Sequence, residues 1–142
     1  MTEHLEKIIT KYNFPKRDIN ASFEIAEIEA YSKLKLPEDY VFYLENYFGI
    51  DQFIGVEFIN LWSLEEIIQS NENYNIVDKL SQTIGIGSNG SGEFIGIKFG
   101  QDEDVKIILS PFIDLNSKHN IEIGTSFTDF LVRLDNGVDW FP

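Results

Sequence analysis

Cysteine is absent from the 142 residues. That excludes disulfides, a thiolate nucleophile and cysteine-based zinc sites, and it is compatible with a reducing cytosol. No apolar run approaches the ~20 residues that a membrane-spanning helix needs. The opening stretch MTEHLEKIITKYNF has no uninterrupted apolar segment of the kind a secretory leader carries, so a soluble, cytoplasmic protein is expected. Basic side chains are scarce: 11 Lys and Arg stand against 24 Asp and Glu, a formal charge of −13. A phosphate backbone is held by a basic footprint, so direct nucleic-acid binding is disfavoured. The excess of acid has a plain reading in solubility and a sharper one in a basic partner. Internal repeats, low-complexity tracts and linkers are missing as well.

What is present is the material of a globule. The chain is 43% hydrophobic and 14% aromatic, and residues 1–142 suit one domain. A chain of this size buries roughly 68–70% of its unfolded surface, enough for a core without staples. Leu5, Ile8, Ile9 and Tyr12 recur at helical spacing. A second helix is expected from Ser22, as N-cap, to Ser32, with Phe23, Ile25, Ala26, Ala30 and Tyr31 as its apolar surface. In LPEDYVFYLENYFG, Pro37 suits a first helical position, and Glu38 and Asp39 suit the positive end of the dipole. Tyr40, Val41, Leu44, Tyr47 and Phe48 make the apolar face there, and Gly49 the stop.

From Phe53 to Trp62 the period changes to two, predicting one half-buried strand with Ile54, Val56 and Phe58 on its inner side. Ser63 and Glu66 stand at capping-box spacing and start a short helix. Asn71–Asn75 is expected as a polar loop. Further strands are expected around Ile84 and Ile86, over Ile95, Ile97 and Phe99, and from Val105 to Leu109. A loop is expected over SPFIDLNSKHN, a last helix over SFTDFLVRL with Ser126 and Asp129 at capping-box spacing, and then an irregular tail. Strands do not alternate regularly with helices. The expected class is therefore α+β, a single domain with a mostly antiparallel central sheet flanked by helices.

Gly85, Gly87 and Gly90 spell G-x-G-x-x-G, the lettering of a dinucleotide loop. That chemistry needs a helix to begin after the last glycine, so that its N-terminus faces a pyrophosphate. Here Ile95, Ile97 and Phe99 follow at strand period, and Asn89-Gly90 is a tight-turn pair. The stretch reads as strand, turn, strand, and no nucleotide is expected.

Other chemistry fails its context in the same way. His4 and His119 lack paired metal-ligand spacing. Asp102–Asp104 begins like a calcium loop, but Lys106 and Ile107 stand where a ligand and the required glycine belong. Asn71–Asn75 begins with calcium-loop spacing too, but Ile76 replaces the glycine and Gln82 the closing glutamate. No G-x-S-x-G elbow occurs, and Ser88 and Ser91 in the glycine loop are expected to serve turn hydrogen bonds. No cofactor, metal or catalytic residue is expected.

Several stretches, in order, carry a resemblance: Ile25 and Glu29, then LPEDYVFYLENYFG, LWSLEEI, IGIGSNGSGEFIGIKF and IGTSFTDFLVRL. Together, over about residues 20–134, they resemble the SUKH (Smi/Knr-like) superfamily, which includes bacterial immunity proteins and a fungal regulator of cell-wall assembly. Two departures are Lys33, where the family often has glycine, and Asn46–Gly49, where it often has Asn-Gly together. The resemblance implies a central sheet flanked by helices and a binding module rather than an enzyme. It implies a bacterial antitoxin whose partner is a cognate toxin domain, often a nuclease.

A nuclease that grips phosphates tends to be basic, so an acidic inhibitor covers its surface sterically and electrostatically. Candidate contacts are Glu93 beside the glycine turn, Asp102, Glu103 and Asp104 in the next connection, Asp51 and Glu57 flanking the first strand, and Trp62 as a groove anchor. For each acid the plain alternative is a solvated surface charge, and for Trp62 a core residue. Glu93 and the Asp102–Asp104 turn are expected at opposite ends of one strand, so they need not form one patch. Two other functions stay open: a scaffold or regulatory domain without a toxin, and a hydrolase built on carboxylates.

Overall fold

The computed structural model describes residues 3–18, 22–102 and 104–141. Helix α1 (Glu3–Lys11) buries Leu5, Ile8 and Ile9, with acids in its first turn and Lys11 in its last. This charge order complements the helix dipole. Helix α2 (Ser22–Ser32) buries Ile25, Ile28 and Ser32. Its contact stripe is narrower than expected: Phe23 is 71% exposed, and Ala26 and Ala30 also face solvent. Ser22 is itself the first helical residue rather than the cap before it.

Helix α3 (Glu38–Asn46) buries Tyr40, Tyr43 and Leu44, and Pro37 sits at its N-cap, one place earlier than expected. The helix also ends before Gly49. That glycine serves a close approach instead, since a Cβ there would stand 2.3 Å from the Leu61 carbonyl oxygen. The Asp39 carboxylate faces two ways. Its Oδ1 accepts from Tyr40 N at 2.8 Å, while its Oδ2 accepts from Thr128 N and Oγ1 at 2.9 and 2.8 Å.

Six strands follow: β1 (Ile50–Ile54), β2 (Glu57–Leu61), β3 (Thr83–Ser88), β4 (Glu93–Phe99), β5 (Val105–Pro111) and β6 (Ile121–Gly124). They form one antiparallel sheet in sequence order. The single strand expected over 53–62 is a hairpin. Ile54 pairs with Glu57, leaving Gly55 (φ +63) and Val56 as a two-residue loop. Glycine at the first loop position with positive φ is the requirement of a type II′ turn. Alternation misled because Val56, at the tip, continues the period without being buried.

After a 3-10 turn at Leu64–Glu66, helix α4 (Ile67–Tyr74) absorbs most of the expected polar loop. A short α5 (Ile76–Lys79) follows. β6 lies just past the expected loop over Ser110–Asn120, in a stretch for which the sequence predicts no element. Helix α6 (Phe127–Asp135) is capped by the Ser126 hydroxyl, which accepts from Asp129 N at 2.9 Å. The return arm reaches one residue further back than expected, with Thr125 N donating to Asp129 Oδ2 at 2.8 Å.

The sheet curls around α6. A Cβ on Gly55, near one edge, would lie 2.2 Å from the Leu134 carbonyl oxygen, and one on Gly124, near the other edge, 2.8 Å from the Phe130 backbone. Only glycine lets both edges close so tightly. α1 and α3 pack on α6 in turn, and Tyr40, Tyr43 and Phe127 form an aromatic centre with ring centroids 5.1 Å apart about Phe127. Helices α4 and α5 lie over β3. The tail is irregular but tied: Trp140 stacks on Phe130, and its N–H donates to Glu57 Oε2 at 2.9 Å.

Candidate protein-binding surface

The glycine stretch is strand β3, a loop over residues 89–92 and strand β4, with Ser88 opposite Phe94. No helix follows Gly90. The loop is held by Asn89, whose Oδ1 accepts from Ser91 N and Glu93 N at 3.0 and 3.2 Å. The glycines have another use. Gly85 and Gly96 face each other across β3 and β4. A Cβ on Gly85 would lie 3.1 Å from the Trp62 ring and 3.3 Å from Asn71 Oδ1, so the strand is kept bare for α4 and Trp62 to settle on it.

Trp62 is 7% exposed, a core residue at the end of β2. It stacks on Tyr74 of α4, with centroids 6.5 Å apart and planes within 9°. Tyr74 lies 4.2 Å from Phe112, and Phe112 lies 5.6 Å from Phe94. This row climbs from the core to the surface, where Tyr74 is 46% and Ile113 96% exposed. Strand alternation puts Phe58, Asn60 and Trp62 on one side of β2. Phe53 stands opposite Phe58, with their rings 5.3 Å apart, and is 63% exposed. The outer face of the β1–β2 hairpin thus continues the side of the sheet that carries Trp62, Tyr74 and Phe112. Phe53–Phe58 and Tyr74–Phe112 are two open apolar groups on this side, and grouped apolar side chains mark an interaction site far more than single ones do.

The candidate acids fall into separate groups. Asp51 is exposed on this outer face of β1, opposite Asn60, and shares a hollow with Glu66. Glu93 is half-buried at the start of β4 and accepts from Asn89 Nδ2 at 2.7 Å. Glu57 is half-buried, and its carboxylate accepts from Trp140 N, so it holds the tail. Asp102 and Asp104 are exposed in the β4–β5 turn. Asp102 has φ +55, and the Asp104 carbonyl accepts from Gly100 N at 2.7 Å. Glu103 lies outside the described residues. A strand rises about 3.3 Å per residue. The far turn therefore stands about 20 Å from Glu93 along β4, and the acids do not converge on one point. Residues that sequence reasoning passed over are Phe53, Tyr74, Phe112 and Ile113. The signal for Phe53 was the Gly55-Val56 turn.

Several other charged groups are tied into the scaffold. Arg17 makes a bidentate pair with Glu65, at 2.9 and 3.0 Å, and its guanidinium lies 4.4 Å from the Phe48 ring centroid. The hydrogen bond from Arg17 holds the Glu65 carboxyl below its ordinary value. The Asp135 carboxyl is lowered likewise, by bonds from Lys11 and Tyr12. Burial pushes the Tyr40 and Tyr43 phenols up. His119 Nε2 pairs with Asp114 Oδ2 at 2.9 Å. Among the described residues no group of three or more His, Cys, Asp or Glu gathers to hold a metal ion, and no helix is long and apolar enough to cross a membrane.

A model of the SMI1/KNR4 family (SUKH-1) matches residues 22–133. The chain belongs to the SMI1/KNR4 family. The match runs from the start of α2 almost to the end of α6, so the sheet, the aromatic row and the candidate acids lie within the family domain. α1 lies outside it, although α1 packs on α6. No curated protein matches the chain significantly.

Proposed function

We propose that this SUKH-1 domain is an immunity protein, which binds a toxin domain and covers its working surface without performing chemistry of its own. The observation that carries this reading is the open apolar side of the sheet: Phe53, Phe58, Tyr74, Phe112 and Ile113, with Asp51 on the outer face that bears Phe53. Aromatic side chains deliver large contact area at interfaces, and charges at the rim steer the approach. Membership of the family supports a protein partner. The charge of −13 supports a basic one, and a nuclease is the toxin class whose substrate demands a basic surface. Complementary fields raise association rates toward ~10⁸–10⁹ M⁻¹s⁻¹ at low salt, which suits an inhibitor that must arrive before the substrate does. Such a partner acts inside the producing cell, so the cytoplasm is the proposed location.

Asp51, Glu93, Asp102, Glu103 and Asp104 are proposed as steering charges, Trp62 as the buried support of the Tyr74 ring, and Glu57 as a contact through the tail it holds. The test is binding of the isolated toxin domain to the Phe53→Asp and Ile113→Asp variants. Both positions are exposed, so folding is expected to be unchanged, and binding is expected to weaken at least 100-fold when they are combined. Unchanged affinity in the double variant overturns the assignment of this face.

A further inference from the structure

The cations of this acidic chain are not spread evenly. On the sheet face that carries Phe94 and Gly96, alternation also places Lys98 of β4 and Lys106 of β5. The strand register sets these two lysines directly opposite each other. Like charges so placed repel, and a sheet built for stability alone avoids them. Glu122 Oε1 stands 3.5 Å from Lys106 Nζ and answers that charge. Among the described residues no carboxylate pairs with Lys98.

Lys98 instead lines a hollow of about 440 Å³, bounded by the end of α5, the start of β3 and the segment 115–117. Lys79 enters from the α5 side, and it too has no ion-pair partner among the described residues. The other polar groups around it are neutral: Gln82, Thr83, Asn116 and Ser117 among them, with no carboxylate in the lining. Its volume falls within the range of sites that enclose a ligand group, roughly 300–1,000 Å³. Lys98 also borders a neighbouring hollow with Asp102 and Asp104, and Lys79 one with Asp114, none of them paired with either lysine. Between the two lysines the lining is neutral and hydrogen-bonding, which makes a receptor for an anion.

We propose that this hollow receives an acidic segment of the protein partner, with side-chain carboxylates held between Lys79 and Lys98. The occupant follows from charge. A nucleic acid carries negative charge along its whole length and meets a domain of −13, so repulsion outweighs a local basic spot. A partner that is basic over most of its contact surface is drawn in by the rest of the domain, and brings carboxylates only where the lysines stand. The inference rests on the protein-binding reading above and adds a contact of opposite sign near the far end of β4 from the Ser88–Glu93 loop. Opposite charges at distinct points, here Lys98 beside Asp102 and Asp104, fix the orientation of a complex, and suppress partners with the wrong pattern.

The test uses the full chain, labelled with nitrogen-15, titrated with a terminally blocked peptide that carries two adjacent glutamates between glycines and, separately, with inorganic phosphate. Saturable shifts are expected at the amides of Thr83, Lys98 and Ser117 with the peptide, and not at Phe53. In the Lys79→Gln/Lys98→Gln variant the apparent affinity is expected to fall at least ten-fold while the rest of the spectrum stays in place. Absence of saturable shifts at those amides, or an unchanged affinity in the variant, overturns the proposal. Phosphate shifting the same amides as strongly as the peptide overturns the peptide assignment in favour of a small-anion site. No toxin is present in this titration, so its failure is distinct from failure of the immunity reading.

Discussion

The side chain of Asn71 completes the sheet beside Gly85. Its Nδ2 donates to the Gly85 carbonyl at 2.9 Å, and its Oδ1 accepts from the Gly85 N–H at 2.8 Å. A second Nδ2 bond, at 2.8 Å, goes to the Ile67 carbonyl within α4. β2 pairs with β3 only at Asn60–Ser88 and Leu61–Gly87, so Gly85 has no strand neighbour on that side. A primary amide offers the same donor and acceptor that a strand would.

Asn71→Leu keeps roughly the volume and strands both backbone groups of Gly85. Each buried unsatisfied group costs about 1–3 kcal/mol. A loss of about 2–5 kcal/mol is expected, read from the urea midpoint at constant slope. A loss under about 1 kcal/mol contradicts the account of this clamp.

Two neighbouring tyrosines are expected to respond oppositely to removal of their hydroxyls. The Tyr43 hydroxyl donates to the Phe48 carbonyl at 2.9 Å, whereas the buried Tyr40 hydroxyl has no partner among the described residues. Tyr43→Phe is expected to lose about 1 kcal/mol, and Tyr40→Phe to gain about as much. Thermal melts of the two variants side by side decide it.

Lys33 ends α2 in the left-handed region, at φ +61, with its N–H donating to the Glu29 carbonyl at 2.8 Å. That is the position where a helix commonly takes glycine. The side chain there costs about 1 kcal/mol in backbone strain, partly offset by the entropy glycine loses on folding. Lys33→Gly is expected to stabilise by about 0.5 kcal/mol, and Lys33→Val to destabilise. Equal melting temperatures for the two variants contradict this.

The Arg17–Glu65 pair has a defined pH window. The folded-state value of Glu65 is depressed below about 4.5, so the stability it contributes is fully present above that value. It is lost as pH falls through the lower folded value. The stability difference between the native chain and Glu65→Gln is expected to hold from neutral pH down to about pH 5 and to close in more acid solution. A difference that widens on acidification reverses the sign and refutes the pairing.

Much of this fold was legible as periodicity. α1, α3 and α6 each carry apolar residues at helical spacing, and β3 to β5 carry them at strand spacing. Context also disposed of the nucleotide motif, because Ile95, Ile97 and Phe99 continue a strand. Three features escaped for distinct reasons. The β1–β2 turn hid because Val56 keeps the alternation through the tip. The end of α4 hid because Asn71 to Tyr74 are polar or aromatic, and what fixes Asn71 is Gly85, fourteen residues on. β6 hid because four residues carry too little pattern. The candidate surface was legible as charge but not as place. Acids declare themselves in composition, yet the joining of Phe53, Tyr74 and Phe112 on one side depends on the register of strands and on where α4 lands.

The central claim is that this chain neutralises a toxin by binding it. The most direct measurement starts from protein retained on the tagged chain in extract of its own cells and identified by mass. Each retained protein is then expressed in a naive host, with and without this chain, and growth is followed. A basic protein is expected that arrests growth alone, permits growth when co-expressed, and is released as salt is raised. If no retained protein arrests growth, or if arrest persists beside this chain, the immunity reading is contradicted, and a scaffold without a toxin takes its place.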